Sequence, residues 1–370
     1  MNVIRPVDAR EVLPGLRAAL DGGPAIAPLP PDPSDALLDM VAPDRPAEVP
    51  DLAVVVATSG STGTPKGVLL SRAAIRAGVT ATHDRLGGDG DWTLAVPAHY
   101  VAGLMVIART VVAGTALHHA AADLHDLPEL HHPPRPQYLS LVPTQLVRAL
   151  DRPEVLARLA RYDVIMVGGG PLPAPVRERS EAAGLAVVST YGMSETAGGC
   201  VYDGVPLPGV EVAIEPDTER IMITGPMLCS GYRLRPDLTR EALVDGWFRT
   251  SDRGRLVDGL VSVTGRLDDV VISGGSNVDL AEVETMINSR LPAGHEVAVI
   301  GVDDPEWGTR VVAVTDRPLT REQLRGWLTG PLLPRQVVVL DSLPRTANGK
   351  IDRPALRNRV GESAEEDARR

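Results

Sequence analysis

Lysine is nearly missing from this 370-residue sequence: of its 37 basic residues only Lys66 and Lys350 are lysine, and the rest are arginine. Arginine fills the positions that need only positive charge. The two lysines are therefore informative, because an ammonium is a compact point charge whereas a guanidinium is a wide planar fork. Aromatic residues are also scarce, at 3% with a single phenylalanine, so the core must come from Val, Leu, Ala and Ile within a 44% hydrophobic content. Two cysteines, Cys200 and Cys229, give neither a metal-ligand spacing nor a disulfide framework, and they fit a reduced, cytoplasmic setting. No apolar run is long enough to span a bilayer, and the start MNVIRPVDAR lacks the apolar stretch of a signal peptide. Excess positive charge is absent too. A net charge of −11 argues against nucleic-acid binding and against an anionic membrane partner.

What is present has the length of one large domain and a smaller one. Residues 1–50 are rich in Pro and Asp, with a helical pattern at 8–20 and an irregular connection over 27–46. A strand at 53–57 enters a loop, GVLLS forms a second strand, and Ser71 caps a helix from Arg72 to Leu86 that Gly87 and Gly88 stop. WTLAVP, YLSLVP, DVIMVGGG and AVVSTYG are then β-type runs separated by helical stretches. In this α/β rhythm, ligand sites gather at strand ends. After about residue 205 the pattern turns to hairpins and a meander. A small α+β module starts near 269, where Asp279 and Glu282 form a capping-box pattern.

Residues 58–67, TSGSTGTPKG, combine the hydroxyls of Thr58, Ser59, Ser61, Thr62 and Thr64 with Gly60, Gly63, Gly67 and Lys66. Successive N–H groups in such a loop make an anion-binding concavity. It is not a Walker A sequence, because Pro65 precedes Lys66 and a strand-like VLL follows. Taken alone, the loop suits a phosphate cradle or a surface turn equally. TYGMSET, 190–196, places Tyr191, Ser194 and Glu195 in a turn after a strand. Glu195 suits either a Mg²⁺ held by one or two carboxylates plus phosphates or a helix cap. WFRTSD, 247–252, ends in Asp252, an acceptor for ribose hydroxyls or a turn aspartate. PRTANGKID, 344–352, presents Lys350 from a loop.

In this order and spacing the segments resemble the adenylate-forming superfamily, which includes acyl-CoA synthetases, firefly luciferase and the adenylation domains of peptide synthetases. Two departures stand out. Only 57 residues precede Thr58, so a trimmed large domain is expected, and Ser251 sits where the pattern has glycine. The resemblance implies an α/β fold with a large N-terminal α/β domain and β subdomain over 1–267. A hinge at Asp268, a small mobile C-terminal α+β domain over 269–358 and a disordered tail over 359–370 follow. It also implies two half-reactions. A carboxylate attacks the α-phosphate of ATP with Mg²⁺ present, and the thiol of coenzyme A then displaces AMP.

By the same resemblance, Lys350 attends the carboxylate and α-phosphate, and Lys66 with residues 58–64 holds the β- and γ-phosphates. Ser194 and Glu195 meet the α-phosphate and Mg²⁺. Tyr191, Gly192 and the turn Gly168, Gly169, Gly170 line the nucleotide, and Asp252 with Arg266 holds the ribose. After the small domain rotates, Ser273, Gly274 and Gly275 face the thiol channel.

For the acid, PAHYVAGL at 97–104 supplies His99, and no Asp at Val96, Pro97 or Ala98 awaits an amino group, which disfavours an α-amino acid. SLVPTQL, 140–146, and VGGGPLP, 167–173, are most similar to the CoA ligases that act on o-succinylbenzoate in menaquinone biosynthesis. The short chain resembles their actinobacterial form. Expected wall residues are His99, Ser140, Thr144 and Gly169. A CoA ligase for another aryl or short acyl acid, and a non-catalytic adenylate-binding protein of the same fold, stay open. The tract with His118, His119, His125, His131 and His132 has a metal-like composition. It lacks a helical His pair with a carboxylate and is broken by Pro128, which favours a solvated loop or sheet edge. The expected partners are thus a small acid, ATP and CoA, with no nucleic acid and no membrane insertion; a homodimer is left open.

Overall fold

The structure is a computed structural model that describes residues 3–59, 64–130, 134–292, 295–345 and 351–368, with only the backbone of Ser59 and of residues 362–368. The chain divides into two compact units. The first comprises Met1–Glu215, Ile221–Thr250 and Arg255–Ser262; the second comprises Pro216–Arg220, Ser251–Gly254 and Val263–Arg370.

The first unit opens with a sheet of β1 (Ile4–Val7), β2 (Ala25–Pro28), β3 (Leu52–Ser59) and β4 (Pro65–Ser71) in that order. β1, β2 and β3 are parallel, and β4 returns antiparallel to β3 with Thr58 opposite Lys66. Ser71 caps the helix Arg72–Leu86 by accepting from the Ala74 N–H at 3.0 Å, and Gly87, at φ +90°, ends it. The expected irregular connection is more ordered than its composition suggests. β2 and the helix Asp35–Val41 fall in or beside it. The reason is tertiary: β2 is buried along its whole length between β1 and β3, and no local pattern in a Pro-rich stretch reports that.

A second sheet has the order β11-β10-β9-β8-β7-β5-β6, made of β5 (Asp91–Leu94), β6 (Leu117–His119), β7 (Gln137–Leu141), β8 (Val164–Val167), β9 (Val187–Met193), β10 (Gly198–Tyr202) and β11 (Val205–Pro206). β6, β5, β7, β8 and β9 run parallel. Along β7 and β8, Tyr138 and Met166 enter one core and Leu139 and Ile165 another, so both faces are covered there. Two core clusters sit on them, one around Trp92, Leu104 and Tyr138 and one around Leu139, Leu146 and Ile165. The meander expected after residue 205 is the third sheet, β12 (Glu211–Ile214), β13 (Arg220–Thr224), β15 (Trp247–Val257) and β14 (Leu243–Val244), with β16 (Leu260–Arg266) on β15.

The second unit holds the sheet β18-β17-β20-β19, with β21 beside β20: β17 (Val270–Ser273), β18 (Ser276–Asp279), β19 (Val297–Asp304), β20 (Gly308–Thr315) and β21 (Gln336–Val339). Along β19, Val297 and Val299 enter one core while Ala298 and Ile300 enter another, the period of two that a strand covered on both faces requires. Asp279 caps the helix Leu280–Asn288, accepting from Ala281 and Glu282. A helix runs from Arg353 to Ala368 and reaches into the segment 359–370, where the sequence predicts a tail. Leu356 and Val360, four residues apart, are fully buried in the core with Ile300 and Val312, which anchors the helix.

Candidate active site

In the first unit the predicted residues gather beyond one edge of the second sheet. Leu94 lies opposite Ser140, Ser140 opposite Met166, and Val167 opposite Ser189, so β5, β7 and β8 end together while β9 runs on to Met193. The segments that follow carry His99, Thr144, Gly168–Gly170 and Ser194–Glu195. Carboxyl ends of parallel strands are where open α/β sheets bind ligands. Ser140 is buried on β7 itself, and Thr144 is exposed at the start of the helix Pro143–Ala149. Burial lowers the pKa of His99, which keeps its ring neutral at neutral pH. Gly168 donates to the Leu141 carbonyl at 3.1 Å, and a Cβ there would strike the Thr190 hydroxyl. Gly169 takes φ +80°.

Tyr191 and Gly192 lie on β9, not in the expected turn. The strand runs to Met193, and only Ser194, Glu195 and Thr196 form the 3₁₀ turn. Pairing with β10 extends it, since Gly192 faces Gly199 and Tyr191 faces Val201.

Lys66 stands on β4, half-buried. Its carbonyl accepts from the Thr58 hydroxyl at 3.4 Å. Gly60, Ser61, Thr62 and Gly63 lie outside the described residues, and so does Lys350. The segment Cys229–Arg233 adds to β4 on its other side: Ser230 donates to the Leu69 carbonyl, Leu69 to the Gly231 carbonyl and Arg233 to the Gly67 carbonyl, and Tyr232 bridges to Val68. The same segment reaches the 3₁₀ turn, where Cys229 donates to the Glu195 carbonyl at 2.8 Å. The outcome is a cluster of three side chains. The Tyr232 hydroxyl donates to Glu195 Oε1 at 2.9 Å, and Lys66 Nζ lies 5.8 Å from the centre of the Tyr232 ring. Burial, and then the Glu195 carboxylate, push the Tyr232 pKa far above its ordinary value, so the hydroxyl stays a donor.

This arrangement fits Mg²⁺, a hard ion that takes one or two carboxylates plus phosphate oxygens. A Mg²⁺ at this point would be held by the Glu195 carboxylate, and the Lys66 ammonium approaches the same Tyr232 side chain. Among the described residues no group of three or more His, Cys, Asp or Glu is placed to hold a metal ion. In the histidine tract, His125 pairs with Asp123 at 2.6 Å, His118 and His119 are on β6, and His131 and His132 lie outside the described residues.

The second unit brings three further predicted residues together. Arg266 donates to Asp252 and to Asp268, each at 3.0 Å. Burial works against its charge, but the two carboxylates outweigh it and raise the Arg266 pKa. No turn forms at Ser251: β15 runs straight through, so a residue in place of glycine meets no backbone strain there. Gly274 and Gly275, at φ +57° and +80°, form the two-residue turn between Ser273 and Ser276, and a Cβ on Gly274 would meet the Trp307 ring at 2.7 Å. On either side of residues 346–350, which lie outside the described residues, Arg345 bridges to Ile351 and the Asp352 N–H donates to the Pro344 carbonyl.

A sequence profile described as AMP-binding enzyme matches residues 6–242, and one described as AMP-binding enzyme C-terminal domain matches residues 282–350. The chain belongs to the AMP-binding enzyme family. This AMP-binding enzyme is 44% identical over 336 residues to the "Probable 2-succinylbenzoate--CoA ligase" of Mycobacterium tuberculosis, covering 85% of this chain and 86% of the relative. It is 33% identical to a feruloyl-CoA synthase of an Amycolatopsis species, covering 86% and 72% of the two chains. Among solved structures it is similar to the o-succinylbenzoate coenzyme A synthetase of Bacillus subtilis in complex with ATP and magnesium ion. That match has a TM-score of 0.70 at 25% identity over 93% of this chain and 81% of that one.

Tyr232 and Arg233 are the site residues that sequence reasoning missed. The only local signal was an aromatic after a glycine in CSGYR, and its partners, Lys66 and Glu195, are distant in sequence.

Proposed function

We propose that this AMP-binding enzyme is an AMP-forming acid–CoA ligase that joins 2-succinylbenzoate to coenzyme A in the cytoplasm, as a step of menaquinone biosynthesis. The observation that carries the proposal is the 44% identity to the M. tuberculosis protein, which extends over most of both chains. In the first half-reaction a substrate carboxylate oxygen bonds to the α-phosphorus of ATP, the α–β bridging bond breaks and pyrophosphate leaves. In the second, the coenzyme A sulfur bonds to the acyl carbon, the acyl–oxygen bond breaks, AMP leaves and the thiol proton is lost.

A carboxylate is a weak nucleophile approaching a polyanion, so charge placement and alignment dominate the barrier. Lys66 holds the phosphates that leave, and the Glu195 carboxylate would hold the Mg²⁺. Bound Mg²⁺ supplies charge neutralisation on the phosphate oxygens. Gly168–Gly170 and Tyr191 line the nucleotide, Asp252 and Arg266 take the ribose, and His99, Ser140 and Thr144 wall the acid. Lys350, from the second unit, attends the bond being made. Asp268 serves as the hinge, and Ser273, Gly274 and Gly275 belong to the thiol channel.

A specific observation favours a second reading, a ligase for another aryl acid: the feruloyl-CoA synthase relative covers as much of the chain as the first. Pyrophosphate release and CoA-ester formation, measured with Mg-ATP and a panel of 2-succinylbenzoate, ferulate, benzoate and short acyl acids, decides. The expected result is the highest kcat/KM for 2-succinylbenzoate. A preference for ferulate would support the second reading, and no pyrophosphate from any acid with folded protein would sink both.

A further inference from the structure

We infer that Tyr232 is a positioning residue that sets Glu195 and Lys66 for metal-bound phosphate, an inference that rests on the adenylation reading above. Two groups of opposite charge come from different elements, Lys66 from β4 and Glu195 from the turn after β9, and one buried side chain touches both. The hydroxyl donates to Glu195 Oε1 at 2.9 Å. The ring lies within cation–π reach of the Lys66 ammonium, 5.8 Å away. A carboxylate has about four lone-pair sites, so a bond from a phenol constrains its rotation without by itself exhausting its acceptors.

Tyr232 is itself held on all sides. It is 8% exposed, its N–H donates to the Thr239 hydroxyl at 2.9 Å, and its neighbour Arg233 donates to the Gly67 carbonyl at 2.7 Å. Gly231 adopts φ +129° with the Thr239 side chain against it, which fixes the turn that delivers the ring. A tyrosine that merely filled space would be replaceable by phenylalanine. Here the hydroxyl is spent on an ionised acceptor beside the phosphate-binding strand, and a hydrogen bond to a charged group is among the stronger ones.

The test is calorimetric binding of ATP to the full chain, once with Mg²⁺ and once with a chelator, for the wild type, Tyr232→Phe, Tyr232→His and Glu195→Gln, with melting temperatures alongside. The expected result for Tyr232→Phe is a loss of about tenfold in the affinity that Mg²⁺ adds, with metal-free ATP binding kept within about twofold. Glu195→Gln loses the same increment, and Tyr232→His, which keeps a ring and an N–H donor, regains part of it. Should Tyr232→Phe melt early, Tyr232→His carries the comparison. A regained increment supports the inference, and a complete loss overturns it.

If Tyr232→Phe keeps the wild-type Mg²⁺ increment while Glu195→Gln loses it, this inference falls and the adenylation reading stands. Equal losses with and without Mg²⁺ would leave Tyr232 a structural residue and overturn the positioning role. If the wild type itself gains nothing from Mg²⁺, the adenylation reading falls and takes this inference with it.

Discussion

Arg233 keeps a guanidinium with no side-chain exposure, and the chain compensates by giving it a complete set of acceptors. It donates to the carbonyls of Val41, Ala42, Arg45 and Pro46 and to the carboxylate of Glu48, at 2.6 to 3.1 Å. The other Glu48 oxygen accepts from the Leu234 N–H. One side chain thus pins the segment after the helix Asp35–Val41 and, through its backbone, the Tyr232 side of the site. Arg233→Leu removes all of the guanidinium's bonds and leaves Glu48 with the Leu234 N–H but without its cation. Losing one partner of a buried pair costs about 3–5 kcal/mol, and the partial exposure of Glu48 places this case near the lower end. The denaturation midpoint should fall accordingly; a midpoint within error of wild type would show that the clamp is dispensable. Lys66 shows the same logic seen from the sequence. A lysine in an arginine-rich chain drew attention to this position, and the structure sets its ammonium 5.8 Å from the centre of an aromatic ring that the loop sequence did not name.

At the scale of elements, the β9–β10 hairpin decides where Glu195 points. Its strands approach so closely at Gly192 that a Cβ there would meet the Gly199 Cα at 2.6 Å and the Gly198 carbonyl carbon at 2.8 Å. Backbone atoms cannot swing aside as a long side chain can. Gly192→Ala should therefore push the strands apart, destabilise the fold by roughly 1–3 kcal/mol and lower Mg-ATP affinity through a displaced Glu195. Thermal melting with ATP-binding calorimetry checks both, and an unchanged melting temperature would count against the close approach. Most elements near the site were legible beforehand. The helix after Ser71 had its cap and its Gly stop in the sequence, and the four β-type runs from WTLAVP to AVVSTYG appear as β5, β7, β8 and β9. The parts that were not legible depend on distant partners. β2 is a strand because it lies between β1 and β3, β9 extends through Tyr191 because β10 pairs with it, and the last helix is held by Leu356 and Val360 in the core with Ile300 and Val312.

At the scale of the whole molecule, acid should weaken the fold. His83 is buried, with Nδ1 2.8 Å from Asp89. Burial lowers its pKa below the ordinary 6.5, Asp89 opposes that shift and Arg109 adds to it. His99 is lowered by burial as well. Such histidines bind fewer protons folded than unfolded, so their contribution is complete above the unfolded pKa near 6.5 and is lost as pH falls through the lower folded values. Urea unfolding should therefore give a stability that drops as the pH is taken below 6.5, and His83→Gln should flatten the drop. The same slope in His83→Gln would assign the loss to other groups.

The sequence by itself determined the chemistry and its order along the chain: a hydroxyl- and glycine-rich loop with a lysine, a carboxylate after a strand, an aspartate, and a second lysine near the end. These are local facts of residue type and spacing, and they lead to the AMP-binding enzyme family without any coordinates. Only the tertiary structure decided that β5, β7 and β8 end together, that Arg266 binds Asp252 and Asp268 together, and that Tyr232 meets both Lys66 and Glu195. Each of these depends on strand pairing or side-chain burial between segments far apart in sequence, where periodicity and propensity carry no information about the partner.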